Sequence, residues 1–293
     1  VNSSVKYIGG CRFMFRGNTN IMKLFSPERL YSYLIKDKYD IIVSYLEGPT
    51  ARIVSGCTNP DTKLVSWIHI EQHNEKVASG SFKNYNEALR CYSRFDKTIC
   101  VSRTVKEDFQ SIFDLKNPVE VLYNTNESDL IVKKAKDKIV DVTFDKDVYN
   151  LVSVAKIVPS KGYDRLMKIH KKLLDDGIKN HVYILGIGEE QEKYEKYLRD
   201  NHLEDTFTFL GFRDNPYKYV KNADLYVCAS RREGFSTAVT EALIVGTPVV
   251  STNCSGAYEL LGDNNEYGIV TENNEDALYE GIKKILTQEN LLQ

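Results

Sequence analysis

The sequence predicts an α/β protein with two domains, each a parallel β-sheet with helices on both faces. Short apolar, strand-like runs alternate with amphipathic helical runs along the whole chain, and this alternation is typical of parallel sheets. The chain has 293 residues, which is enough for two domains that each bury a core. A polar, lysine-rich stretch at residues 126–148 interrupts the alternation. We therefore predict domains at residues 1–140 and 141–293.

The first half begins with a strand-like run, Val5 to Gly10. A helix follows from Pro27, because Leu30 and Leu34 recur at helical spacing. By the same patterns we expect further strands at 39–45, 63–69, 97–101 and 119–123, and further helices at 50–54, 83–95 and 105–112.

The second half repeats the alternation more plainly. Leu166, Ile169 and Leu173 recur near helical spacing, which indicates one face packed on a core. We expect strands at 149–155, 181–186, 206–210, 224–228, 247–251 and 268–270, and helices at 163–176, 188–202, 214–221, 236–245 and 275–287. Ligands of open α/β sheets bind beyond the carboxyl ends of the strands, so we look for a site there.

One segment at such an end combines two carboxylates, a glycine and a helix start. Glu233 and Gly234 follow the predicted strand 224–228, and Glu241 lies in the helix that comes next. Glycine lets the backbone approach a ligand, and a helix N-terminus favours a phosphate. A carboxylate such as Glu241 can accept hydrogen bonds from ribose or sugar hydroxyls. Without wider context, both glutamates would be interpreted as solvated helix-end charges.

The wider context resembles one family. Seven residues separate Glu233 from Glu241, and Gly246-Thr247-Pro248-Val249-Val250 follows. This pattern resembles the E-x7-E signature of retaining GT-B glycosyltransferases of family four, also called glycosyltransferase group 1. The segment from Val152 to Asp164 resembles the donor-phosphate segment of that family. Further matches lie at residues 185–188, 209–212 and 222–225. The resemblance extends over about residues 149–285, roughly half of the chain.

The resemblance implies a GT-B fold, in which two Rossmann-like domains face each other across a cleft. Residues 1–140 would form the acceptor-side domain and residues 141–293 the nucleotide-sugar donor domain. GT-B enzymes of this kind normally begin with another strand, a glycine-bearing loop and a helix before a strand such as Val5 to Gly10. Since Val1 is not a start methionine, we expect the first domain to lack its amino-terminal strand.

The resemblance also assigns charged side chains to the reaction. Lys156 and Lys161 would clamp the departing diphosphate, with Lys161 acting in catalysis. The family has an arginine at the position of Lys156, so charge is kept here while two-pronged hydrogen bonding is lost. Glu233 would lie beside the transferred sugar, and Glu241 would hold the ribose hydroxyls.

Other residues would complete the donor site. Four would present backbone N–H groups to the diphosphate and sugar: Gly234, Phe235, Ser236 and Thr237. Phe212 and Arg213 match the segment that borders the base, although Phe212 could instead belong to the core. His69 lies at the end of a first-domain strand, where GT-B relatives carry a histidine that touches the donor sugar. A purely structural role for His69 stays open.

These assignments imply a hexosyltransferase that retains anomeric configuration and needs neither metal nor cofactor. The donor would be a nucleotide sugar, and UDP is the commonest nucleotide among similar enzymes. By analogy the acceptor would be a glycan, such as a bacterial-type polysaccharide, or a lipid-linked glycan. The alternative is a catalytically silent nucleotide-sugar-binding subunit that supports a partner transferase.

Composition narrows the class of protein and its compartment. The net charge of −2 gives no reason to expect nucleic acid. The six cysteines are scattered without a C-x-x-C pair, so we expect reduced thiols in a cytoplasmic protein rather than disulfides or a zinc site. No stretch approaches the length of a membrane span, and a peripheral contact at the inner face of the membrane stays open.

Three other motifs are weaker. Asp145-Lys146-Asp147 has the D-x-D form of metal-dependent transferases but lies in the lysine-rich junction, so we interpret it as a solvated turn. Gly186-Ile187-Gly188 lacks the third glycine of a nicotinamide-binding fingerprint. The G-x-x-x-x-G-K pattern of a phosphate-binding loop does not occur in the sequence.

Overall fold

The computed structural model describes residues 18–288, so the predicted strand from Val5 to Gly10 lies outside it. The chain forms two compact units, the first ending at Leu122 and the second beginning at Tyr123. Residues 123–140, which the sequence analysis assigned to the first domain, group with the second unit. Within residues 18–288, no helix has both the length and the apolar character needed to span a bilayer.

The first unit contains a four-stranded parallel sheet in the order β1-β2-β3-β4. Several of its helices begin where a polar side chain caps the first turn, as Ser26, Asn84 and Ser102 do. The elements of this unit are α1 (Asn18–Met22), α2 (Pro27–Leu34), β1 (Ile41–Ser44), α3 (Pro49–Val54), β2 (Lys63–Ile68), α4 (Glu75–Ala78), α5 (Tyr85–Tyr92), β3 (Lys97–Cys100), α6 (Arg103–Ile112) and β4 (Val119–Val121).

The second unit contains a six-stranded parallel sheet in the order β10-β9-β8-β5-β6-β7. Its elements are α7 (Ser128–Lys134), β5 (Tyr149–Val154), a 3₁₀ turn (Pro159–Lys161), α8 (Tyr163–Asp175), β6 (Asn180–Leu185), α9 (Gln191–Asp200), β7 (Phe207–Gly211), α10 (Tyr217–Asn222), β8 (Leu225–Cys228), α11 (Thr237–Val245), β9 (Val249–Thr252), α12 (Ala257–Leu261), β10 (Ile269–Thr271) and α13 (Glu275–Thr287). Strands β5 and β8 are hydrogen-bonded neighbours, so the chain order reverses between them. That reversal is where α/β sheets open a ligand crevice.

Helices cover both faces of this six-stranded sheet, as the sequence predicted. Leu151 and Val152 are adjacent in β5 and both fully buried, but they pack into different core clusters on opposite faces. The cluster around Leu151 contains Leu166, Ile169 and Leu173 of α8. The predicted apolar face of α8 is therefore confirmed.

Helix α7 was not predicted, because the lysines around it suggested a polar junction. In the structure Ile131 and Ala135 are buried, and α7 packs against α10 and α11. Two apolar positions thus attach this lysine-rich segment to the second unit.

A buried histidine should make the second unit sensitive to acid. His170 is fully buried, with Nδ1 2.7 Å from Asn180 Oδ1 and Nε2 2.9 Å from Thr206 Oγ1. Burial lowers the pKa of His170 to about 4, whereas an unfolded histidine titrates near 6.5. The unfolded chain therefore takes up the proton first as pH falls. We expect the free energy of unfolding to lose up to about 3 kcal/mol between pH 6.5 and 4.

This loss can be measured by denaturant unfolding at a series of pH values. A His170→Asn variant should be less stable at pH 7 but should lose less stability on acidification. Other titrating groups, such as His181, contribute to both proteins and cancel in the difference. Parallel pH dependences in the two proteins would contradict the prediction.

Candidate active site

A pocket of about 330 Å³ lies where β5 and β8 end. Its lining comes from the last residues of both strands and from the two loops that follow them, residues 155–162 and 229–236. All of these residues belong to the second unit. The pocket therefore occupies the position that the sheet topology favours for a ligand.

The two loops are packed backbone to backbone. Arg231 N donates a 2.7 Å hydrogen bond to Ser160 O. Gly162, which ends the first loop, has φ +70°, and a Cβ atom there would lie 2.0 Å from Ala229 O. Only glycine provides both this backbone conformation and this space. The shape of the pocket thus depends on close contact between segments far apart in sequence.

The structure brings Lys161 and Glu233 together in this pocket. Lys161 Nζ lies 2.5 Å from Glu233 Oε1, and their side chains are only 23% and 16% exposed. Ser230 Oγ donates a 2.6 Å hydrogen bond to the same carboxylate oxygen. Two donors thus orient the Glu233 carboxylate, and the ammonium group of Lys161 is held at the pocket wall.

The start of α11 forms another part of the wall. Ser236 caps the helix by accepting a hydrogen bond from Val239 N at 3.3 Å, and Phe235, Ser236 and Thr237 line the pocket. The first turn of a helix has free N–H groups and a positive partial charge. This end of the pocket is therefore suited to an anion.

Gly234 lies between two lining residues, Glu233 and Phe235. Gly234 does not adopt a positive φ. The bend at this position therefore does not require a left-handed backbone. The Phe235 ring stacks on Tyr123, with ring centroids 5.1 Å apart.

Glu241 lies one helical turn beyond Thr237 on α11 and is not among the residues that line the pocket. The side chain is half-buried, and within residues 18–288 its one hydrogen bond comes from Tyr217 Oη at 3.5 Å. Burial raises the pKa of Glu241, and this hydrogen bond lowers it in part. The carboxylate keeps acceptor capacity for a ligand.

Three predicted residues differ in how they relate to the pocket. Lys156 lines it and is exposed. Phe212 is 66% exposed, so its interpretation as a core residue is wrong. Arg213 forms an ion pair with Asp141, Nη2 to Oδ2 at 2.9 Å, and donates from Nε to Tyr219 Oη at 3.3 Å. Its guanidinium is therefore already engaged in tertiary contacts.

His69 belongs to the first unit and directly follows β2. Its ring packs edge-on against Tyr45 at 4.7 Å, and its backbone N–H donates to Glu47 Oε2 at 2.9 Å. Burial lowers the pKa of His69, which favours the neutral imidazole. In the described range, His69 Nε2 is buried without a hydrogen-bond partner.

Two residues that hold the pocket in shape were not predicted from the sequence. Ser230 bonds the Glu233 carboxylate, and Arg165 is buried in the first turn of α8 with its guanidinium on the carbonyls of Ala229 and Ser230. A cation in the first turn of a helix opposes the helix dipole. That mismatch is a signal that could have singled out Arg165 from sequence.

Within residues 18–288, no group of three or more His, Cys, Asp or Glu side chains is placed to hold a metal ion. In the D-x-D motif, Asp147 N donates to Asp145 Oδ1 at 2.9 Å, and both residues are exposed. This is the geometry of an Asx turn, which agrees with the interpretation as a solvated turn.

Comparison with known families decides the class of protein. A family model described as glycosyl transferases group 1 matches residues 135–293, more than half of the chain. A second model, described as glycosyltransferase family 4, matches residues 5–125. The chain belongs to glycosyltransferase group 1.

Two relatives of this group 1 glycosyltransferase are named bacterial enzymes. It is 28% identical to the N-acetylgalactosamine-N,N'-diacetylbacillosaminyl-diphospho-undecaprenol 4-alpha-N-acetylgalactosaminyltransferase of Campylobacter jejuni, over 89% of this chain and 67% of the relative. It is 23% identical to the poly(ribitol-phosphate) alpha-N-acetylglucosaminyltransferase of Staphylococcus aureus, over 88% of this chain and 50% of that protein. The chain thus spans between half and two thirds of these relatives.

Solved structures show the same fold at low identity. TarM superposes with a TM-score of 0.70 at 20% identity, covering 90% of this chain and 52% of TarM. Sucrose-phosphate synthase from Thermosynechococcus elongatus gives 0.74 at 16% identity, covering 96% and 72%. Anabaena HepE in complex with UDP gives 0.67 at 19% identity, covering 87% and 71%. The predicted GT-B class, with two parallel-sheet α/β domains, is confirmed.

Proposed function

We propose that this group 1 glycosyltransferase moves a sugar from a UDP-sugar to a glycan or lipid-linked acceptor, with retention of anomeric configuration and without a metal ion or other cofactor. The observation that carries the proposal is the pocket that combines the Lys161 ammonium, the Glu233 carboxylate and the first turn of α11. Such a pocket offers positive charge to a diphosphate and a carboxylate to a sugar.

The chemistry follows from where charge develops. When the anomeric C–O bond breaks, its electron pair leaves with the diphosphate, and the sugar ring becomes positive. Lys161 and the N–H groups of α11 would stabilise the diphosphate in the transition state. The acceptor hydroxyl would attack from the face on which the diphosphate leaves and give its proton to a phosphate oxygen. Glu233 then needs no nucleophilic role, unlike the paired carboxylates of glycosidases.

Lys161 is paired with Glu233. A diphosphate would therefore compete with Glu233 for the ammonium group. The exposed Lys156 at the same pocket would add a second cation. In the donor complex Lys161 would move toward phosphate, which would free Glu233 to accept a hydrogen bond from the transferred sugar.

UDP as the nucleotide is supported by solved structures of similar fold, since HepE and a TarM variant were each determined with UDP. Glu241 would accept hydrogen bonds from the ribose diol, which UDP, GDP and ADP share, and so would not select the base. Phe212 and Arg213 would border the base, and the exposed Phe212 ring is free to stack on it. The buried, unpartnered Nε2 of His69 supports a contact with a sugar hydroxyl.

The acceptor class is supported by the relatives' names. The Campylobacter enzyme is named for an undecaprenol-linked diphosphate substrate and the Staphylococcus enzyme for a ribitol-phosphate polymer. We therefore propose a lipid-linked or polymeric glycan acceptor, and a cytoplasmic protein in peripheral contact with the inner face of the membrane.

Calorimetric titration of the chain with UDP, GDP and ADP, in the absence of metal ions, tests the donor site. We expect UDP to bind in preference to GDP and ADP. Binding of none of the three would overturn the proposed function. Binding of UDP without turnover of a UDP-sugar in the presence of acceptor would instead indicate a nucleotide-sugar-binding subunit.

A Glu241→Ala variant should bind UDP about 10- to 100-fold more weakly, because each hydrogen bond to a charged acceptor contributes about 1.5–3 kcal/mol. The titration with UDP measures this directly. Asp147→Ala is the matched control, since it removes an exposed carboxylate from the same unit. Equal UDP affinities in Glu241→Ala and the unmodified chain would exclude Glu241 from the site.

A further inference from the structure

Arg165 is a buried cation behind the wall of the pocket. It lies in the first turn of α8, just after Gly162, and is 5% exposed. Nε and Nη2 donate to Ala229 O at 2.9 and 2.5 Å, and Nη2 also donates to Ser230 O at 2.7 Å. Nη1 donates to Asn273 Oδ1 at 2.9 Å. One side chain thus connects α8, the loop after β8 and the loop after β10.

Arg165 differs in its partners from two neighbouring cations, Lys161 and Arg231. Lys161 is paired with Glu233, and Arg231 forms a two-pronged ion pair with Asp164 at 2.7 Å. In the described part of the chain, every hydrogen bond of the Arg165 guanidinium goes to a neutral acceptor. Its charge is therefore not neutralised by direct contact, and in a buried environment such a charge is weakly screened.

The carbonyls that Arg165 holds belong to the pocket wall. Ala229 and Ser230 both line the pocket, and Ser230 Oγ in turn bonds Glu233. The Ser230 carbonyl also accepts from Thr252 Oγ1 at 2.5 Å. Within residues 18–288, the side-chain hydrogen bonds to the Ala229 carbonyl come from Nε and Nη2 of Arg165. Without Arg165 the Ala229 carbonyl would lose that donor, which is costly for a buried group.

We propose that Arg165 is a positioning residue of the donor site. It fixes the start of the loop that carries Ser230 and Glu233. Behind the place where the diphosphate binds, it places a positive charge to which no carboxylate in the described range bonds directly. Arg165 need not touch the donor to act in this way. The charge part of this inference rests on the proposed function, whereas the positioning part concerns the protein without ligand.

The positioning part is tested by amide hydrogen exchange on the full chain without nucleotide. Arg165→Gln removes both the positive charge and the two-pronged hydrogen bonding of the guanidinium. Arg165→Lys keeps the charge, but a single ammonium group cannot bond both carbonyls and Asn273. We expect faster exchange across residues 229–236 in both variants. His170→Asn is the matched control, because His170 is also buried on α8 but bonds Asn180 and Thr206. It should not speed exchange across 229–236 more than across the rest of the second unit, because any loss of global stability acts on the whole unit.

The charge part is tested by competition binding of UDP and of uridine, which lacks phosphate. Arg165→Gln should weaken UDP binding about tenfold or more while changing uridine binding less than about threefold. Arg165→Lys should bind UDP within about threefold of the affinity of the unmodified chain, because lysine keeps the positive charge at this position. A purely structural role would weaken UDP and uridine binding together and would not be rescued by lysine.

The outcomes separate this inference from the proposed function. Unchanged exchange across 229–236 in Arg165→Lys would overturn the positioning role, whether or not nucleotide binds. An equal increase confined to 229–236 in His170→Asn would overturn it too. Equal loss of UDP and uridine binding in Arg165→Gln would overturn the charge role. If the unmodified chain binds no nucleoside diphosphate, the proposed function and the charge role fail, and exchange still decides the positioning role.

Discussion

A Lys161→Ala variant is expected to lose about 10²- to 10³-fold in turnover of the donor, which is the usual effect of removing one preorganised donor from a transition state. The loss has two physical sources. The developing charge on the diphosphate loses a cation, and Glu233 loses its 2.5 Å partner and remains as a largely buried carboxylate beside the phosphate. The measurement is the rate of UDP release from a UDP-sugar under steady-state conditions.

Two further variants show whether this effect is specific. Lys171→Ala removes a half-buried lysine of α8 that pairs with Asp175, and it should leave turnover unchanged. Adding Glu233→Gln to Lys161→Ala should not lower UDP affinity further and should recover part of it, because the unpaired carboxylate is gone. Turnover by Lys161→Ala within about threefold of the unmodified chain would remove Lys161 from the catalytic machinery.

A Gly162→Ala variant is expected to destabilise the second unit by about 3–5 kcal/mol. About 1–2 kcal/mol comes from placing alanine at a positive φ, and the rest comes from the Cβ atom, which would lie 2.0 Å from Ala229 O. The backbone at residues 229–230 would have to shift, so donor binding should weaken in the molecules that remain folded. Denaturant unfolding gives the first quantity and UDP titration the second.

The other end of α8 provides the control for this variant. Gly177 has φ +78°, close to that of Gly162, but a Cβ atom there would meet nothing within 4 Å. Gly177→Ala should therefore show the conformational cost alone, about 1–2 kcal/mol, with unchanged UDP affinity. Equal stability losses at the two glycines would mean that the close approach of Gly162 to Ala229 contributes nothing to the change in the free energy of unfolding.

Most of the fold could be predicted from sequence because its elements have strong periodicity. The apolar positions Leu166, Ile169 and Leu173 placed α8 within one or two residues of Tyr163–Asp175. The short helices α1, α4, α7 and α12 were missed, because a helix of a few residues has too little sequence to show a period. Their stability comes from tertiary contacts such as the buried Ile131 of α7, and these are not visible in local sequence.

The part of the candidate site that could be predicted is the part in which the motif residues follow strands that are neighbours in the sheet. Lys161 and Glu233 follow strands that are neighbours in the sheet, and the structure places them in contact. Long-range partners were not predictable: Arg213 pairs with Asp141, and Arg165 bonds carbonyls 64 and 65 residues away. The roles of the site residues in binding and catalysis stay predictions, and the variants above test them.

Lys161 and Glu233 lie 72 residues apart in the chain, on loops that follow adjacent strands of one sheet. A gene divided between β7 and β8 would encode these two side chains on separate polypeptides. Neither fragment alone would contain the ammonium–carboxylate pair, whereas reassembly of the β5–β8 contact would restore it. Nucleotide binding recovered on mixing the fragments would then report sheet reassembly, so the pocket could serve as a fragment-complementation sensor.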